Sequence, residues 1–98
     1  MIVRHVDREQ ITVSNAEKTL TAATIVSNVE YAEIQILAQN IRVTFDGSTT
    51  PVKDTTGTIW YVGQIYRVWG VTNCKNLKMI RDAASDATII VDYWGRPN

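Results

Sequence analysis

The clearest alternation in the chain is IRVTFD, where Ile41, Val43 and Phe45 take one side and Arg42, Thr44 and Asp46 the other. A period of two marks a strand with one buried and one solvated face, and the Asp46-Gly47 pair closes this one as a turn. A second alternating run covers residues 33–37, with Ile34 and Ile36 opposed to Glu33 and Gln35. In KTLTAATIV, Leu20, Ala22 and Thr24 share one face and Thr21, Ala23 and Ile25 the other. Residues 2–6 and 11–13 read as two further short strands, and QIYRVWG and LKMIRD as two more. The stretches IWYV and TIIVDYW are apolar on both faces, as expected of strands covered on both sides. Between them lie turn signals. Residues 48–57 form the longest aperiodic stretch, with Pro51, Gly57 and several short polar side chains; Gly63, the polar run VTNCKN and residues 83–86 supply the other breaks. Helical spacing is matched only loosely, by Ile25, Val29, Ala32 and Ile36, and the alternation at 33–37 favours a strand there.

Composition sharpens this reading. The chain has 34 threonine, valine and isoleucine residues against three leucines. Branching at Cβ crowds the preceding helical turn but packs well on a pleated surface. The expectation is an all-β fold, a β-sandwich or jelly-roll-like arrangement of about eight short antiparallel strands. With 98 residues it is read as a single domain over 1–98, residues 1–9 forming an N-terminal arm or edge strand and 95–98 a tail. Such a domain must protect its sheet edges, so a homo-oligomer or an assembly partner is expected to cover part of the strand surface.

Charge removes several classes of partner. Ten Lys and Arg balance ten Asp and Glu, leaving no cationic excess for nucleic acid or for an anionic membrane. No apolar run reaches the ~18 residues of a membrane span, and the start MIVRHVDREQ is too charged for a signal peptide. Cys74 stands alone, so no internal disulfide is expected and a reducing cytoplasm is the expected place of synthesis.

Candidate chemistry is sparse. His5 is the one histidine and reads as an exposed or half-buried structural residue; Cys74, in a polar turn beside Lys75, reads as a free thiol. One cysteine and one histidine cannot complete a zinc site, and Asp46, Ser48 and Asp54 lack a calcium-loop pattern. No phosphate-binding or nucleophile-elbow motif occurs, and Asp82, Asp86 and Asp92 make a poor case for a glycosidase. The expectation is a protein that is not an enzyme and takes no cofactor, no metal and no small-molecule ligand. The aromatic residues Trp60, Tyr61, Tyr66, Trp69, Tyr93 and Trp94 all lie in the C-terminal half. They read as core or interface; the alternative is a platform of Trp60, Trp69 and Trp94 for stacking sugar rings.

Three stretches together, ITVSNAEKTLTAATIV, AEIQILAQNIRVTFDGSTTP and YVGQIYRVWGVTNCKNLKMIRDAASDATIIVDY, resemble small structural proteins of tailed-bacteriophage virions. The shared pattern is a Thr/Ala-rich strand, an Ile-Arg-Val strand closed by Asp-Gly, a Pro-containing loop, a Gly-centred hairpin and a final ATIIVDY strand, spanning about residues 10–93. The resemblance implies a capsid decoration (cement) protein on the head surface, made in the host cytoplasm, with the major capsid protein and itself as partners and a trimer favoured. A neck or tail position, or a glycan-binding module, is the alternative. On this reading Arg42, Arg67 and Arg81 are candidate ion-pairing contacts, and Trp60, Tyr61 and Trp69 candidate buried anchors. The three tryptophans match no motif of the family.

Overall fold

Eight strands form in chain order, with one short helix. They are β1 (Arg4–Val13), β2 (Lys18–Thr19), β3 (Val29–Leu37), β4 (Ile41–Thr44), β5 (Thr58–Trp60), β6 (Ile65–Trp69), α1 (Val71–Asn76), β7 (Lys78–Arg81) and β8 (Ala87–Gly95). The structure, a computed structural model, describes residues 3–21, 25 and 27–96. Ile2, and the part of the Thr/Ala-rich run comprising residues 22–24 and 26, lie outside the described residues.

Two four-stranded antiparallel sheets result, ordered β1-β8-β3-β6 and β2-β7-β4-β5. The expected β-rich class is therefore the observed one. The pairings nest: β1 lies beside β8, β2 beside β7, β3 beside β6 and β4 beside β5. The chain thus runs outward along one half and returns along the other, as a long hairpin divided between two sheets.

One hydrophobic core draws on both sheets. Val13, Ala32, Ile34, Ile36, Ile89, Val91 and Tyr93 enter it from the first sheet, and Ile41, Val43 and Met79 from the second. Alternation explains this allocation strand by strand, and β8 shows it most cleanly: Ala87, Ile89, Val91, Tyr93 and Gly95 are buried, while Thr88, Ile90, Asp92 and Trp94 are half-buried. The segment 29–37, with its weak helical pattern, is strand throughout.

Five sequence expectations need correction. The stretch IWYV is not covered on both sides: β5 ends at Trp60, and Tyr61 and Val62 are exposed. Residues 2–6 and 11–13 are not separate strands; the described part is one ten-residue strand, β1, with an irregularity between His5 and Asp7. A second irregularity falls between Val29 and Tyr31 on β3, so β1 slips opposite Tyr93 and Trp94 and β3 one step on, opposite Trp94 and Gly95. Such bulges break the period-two pattern, which is why one strand read as two. The polar run VTNCKN is helix α1, and it buries Cys74 instead of exposing it in a turn. Arg42 is not on a wet face: it is 9% exposed, whereas Phe45, assigned to the buried face, is 43% exposed. Both follow from loop 48–57. It folds back so that Arg42 donates from Nη1 to the Gly57 carbonyl (3.1 Å), while β4 ends at Thr44, before Phe45. Gly57 allows this approach. Its φ is +110°, and a Cβ there would sit 2.7 Å from the Val43 carbonyl oxygen and 2.9 Å from Arg42 Cγ.

Candidate functional site

The outer face of the first sheet is organised in rows that cross its strands. One row is His5, Trp94, Tyr31 and Trp69, each opposite the next in the ladder. His5 meets Trp94 edge-on at 5.2 Å between ring centroids, and Tyr31 packs on Trp69 at 4.4 Å. The next row is Arg8, Asp92, Glu33 and Arg67. Its cations sit on the edge strands and its carboxylates on the central ones, so each arginine finds an acid: Arg67 Nη2 lies 3.1 Å from Glu33 and Arg8 Nη1 3.8 Å from Asp92. His5 Nε2 also reaches Asp92 Oδ1 at 2.9 Å. This is cross-strand pairing at registered positions.

At the β5–β6 edge the two sheets meet through rings. Trp60 on β5 stacks on Tyr66 of β6 with centroids 4.5 Å apart and planes 4° from parallel, and Phe45 packs on Trp60 at 5.9 Å. The backbone N–H of Tyr61 donates to the Tyr66 hydroxyl (2.9 Å), which fixes the phenol end of the stack. Over this seam opens a cleft of about 450 Å³, lined by Phe45, Trp60, Tyr66, Arg67, Val68, Trp69 and Asn73. Trp60 (5% exposed) and Tyr66 are packed against the core, whereas Trp69 is 57% exposed. Asn73, on α1, donates from Nδ2 to the Trp69 carbonyl (2.9 Å), holding its amide at the cleft wall. Arg67 lies 5.2 Å over the Tyr31 ring and is neutralised by Glu33.

The candidate contact residues therefore divide. Trp60, Trp69 and Arg67 gather at this cleft, and Tyr61 begins the exposed turn beside it. Arg81 lies apart, bonded to Asp86 at 2.5 Å. Arg42 is committed internally: Nε and Nη2 donate to the two carboxylate oxygens of Asp82 at 3.1 and 3.4 Å. Burial would raise the Asp82 pKa, but hydrogen bonds from Arg42 and from the Asp54 N–H outweigh it and hold the carboxyl below its ordinary range. The imagined trio of tryptophans is not one platform. Trp60 and Trp69 share the cleft, while Trp94 sits on β8 with Tyr31 of β3 between it and Trp69. Tyr31, Phe45, Tyr66 and Asn73 were not singled out by sequence as companions of Trp69; the alternation in IYRVW, which sends Arg67 and Trp69 to one side and Tyr66 to the other, held part of that signal.

Two further pKa shifts trace to burial and to local hydrogen bonds. Burial pushes the Cys74 thiol above its usual pKa, and its Sγ lies 3.5 Å from the Val68 carbonyl. Asp46 accepts from the Thr49 hydroxyl and from the Thr49 and Ser48 N–H groups, which lowers its pKa to about 2. Among the described residues no group of three His, Cys, Asp or Glu side chains is placed to hold a metal ion, and no helix is long and apolar enough to cross a membrane.

Fold and site thus define a protein of two antiparallel β-sheets with an aromatic cleft where their edges meet. No family model, curated protein or solved structure matches the chain.

Proposed function

We propose that this chain is a structural component of a tailed-bacteriophage virion, a capsid decoration protein that seats on the head and bridges major capsid subunits. The observation that carries the reading is the grouping of exposed apolar side chains. Phe45, Tyr61, Val62, Ile65 and Trp69, each more than two-fifths exposed, all lie around the β5–β6 edge. Large apolar side chains gathered on one surface mark a docking site in water, because covering them releases the hydration cost of apolar area. The same corner carries β5 and β6, each the last strand of its sheet among the described residues. The nested strand order supports the finer reading of a β-sandwich of jelly-roll type, an architecture used by capsid proteins among others. Fold alone does not assign a role. The sequence resemblance to virion proteins turns a sticky β domain into a capsid one, with a homotrimer as the arrangement it implies.

Two measurements test this. Sedimentation of the purified protein reports whether it forms a homo-oligomer, and co-sedimentation with capsids lacking it reports docking. Tyr61→Lys and Ile65→Lys place charge in the apolar corner and are expected to abolish docking while leaving the circular dichroism spectrum unchanged. Docking that survives both substitutions, or a protein that never associates with capsids, overturns the reading.

A further inference from the structure

A binding site of different chemistry shares the β5–β6 edge. We propose that the cleft lined by Phe45, Trp60, Tyr66, Trp69 and Asn73 binds a neutral saccharide ring. At about 450 Å³ it has the size of a small-ligand site. Its floor is the parallel Trp60–Tyr66 stack, and its open walls are the Phe45 ring and the Trp69 indole. Tyr31 supports Trp69 from β3 at 4.4 Å, so the indole is held in place before any ligand arrives. A pyranose presents a face of C–H groups, and an aromatic ring offers the complementary electron-rich surface.

The polar lining selects hydroxyls over charge. Asn73 gives one of its two amide N–H groups to the Trp69 carbonyl and keeps its amide oxygen to accept. Arg67 keeps N–H groups beyond those facing Glu33, so it can donate. A hydroxyl satisfies either partner. A phosphate or carboxylate finds little net attraction, because Glu33 at 3.1 Å already balances the guanidinium. The cleft therefore pairs aromatic faces with N–H donors and an acceptor and carries no net charge, which is the complement of a sugar.

Calorimetric titration with glucose, N-acetylglucosamine, cellobiose and maltose tests the proposal on the purified chain. At least one sugar is expected to give a saturable, millimolar isotherm. Trp69→Ala is expected to weaken it about tenfold, the ~1.4 kcal/mol of one aromatic contact, with no change in circular dichroism. Asn73→Ala, in the polar part of the lining, is expected to weaken it severalfold and decides the matter should Trp69→Ala fail to fold. No saturable binding by any of the four sugars, or unchanged binding in both variants, overturns the proposal. So does preference for a proline-rich peptide, the other ligand class that aromatic grooves take. Tyr61 and Ile65 do not line the cleft, so their lysine variants retain sugar binding even where capsid docking is lost, and the two readings fail separately.

Discussion

Arg42 and Asp82 show how little a residue's type says about its place. Both side chains are nearly covered, and the pair is joined by two hydrogen bonds with a third running to Gly57. Removing one partner strands a charge in low dielectric, so Arg42→Ala or Asp82→Asn is expected to cost about 3 kcal/mol or more in urea unfolding. By contrast Arg67→Ala breaks an exposed pair and is expected to cost no more than ~1 kcal/mol. Asp46 gives a pH signature. Its folded-state pKa of about 2 lies below the ordinary 3.8, so the stability it contributes is fully present above pH 3.8 and is lost as pH falls toward 2. Asp46→Asn is expected to flatten the acid limb of melting temperature against pH over that window. Cys74 is buried on α1 with its thiol pKa raised, so alkylation is expected to follow unfolding and to be negligible in native buffer.

At the scale of elements, strand β8 organises the larger sheet. It pairs with β1 on one side and β3 on the other, and the two partners bulge opposite its last three residues, β1 at Tyr93–Trp94 and β3 at Trp94–Gly95. Gly95 sits where those bulges crowd the ladder: a Cβ there would lie 2.2 Å from the Asn28 carbonyl oxygen and 3.0 Å from Val6. Backbone cannot yield as a flexible side chain can. Gly95→Ala is therefore expected to lower stability by about 2 kcal/mol or more and to broaden the amide signals of β1 and β3 near the bulges, measured by denaturation and NMR. Helix α1 is a different case. Its six residues are too few to be stable alone, and it persists because Cys74 is buried in the core where α1 packs on β3 and β6.

Across the whole molecule, nesting of the strand pairs sets which contacts are local. The β4–β5 pair closes over residues 45–57 alone, whereas β1–β8 joins strands near the two ends of the described chain. Loop closure makes distant pairing slow, so folding is expected on the millisecond-to-second scale typical of β domains dominated by non-local pairing. The apolar side chains that the core does not take accumulate around β5 and β6. That edge is where self-association, capsid docking and sugar binding would all be read.

The sequence by itself determined the class of the protein and much of its core. Branched side chains and period-two runs are local signals, and Ile34, Ile36, Ile41 and Val43 are buried where alternation puts them. Tertiary structure alone decided which face of a strand counts as outside. Arg42 obeys the alternation and is nonetheless covered, because a loop more than ten residues further along returns over it. The cleft was equally hidden, since Phe45, Trp60, Tyr66 and Asn73 converge only when two sheets bring their edge strands together. Periodicity records how a segment meets its surroundings; it does not record which distant segment those surroundings are.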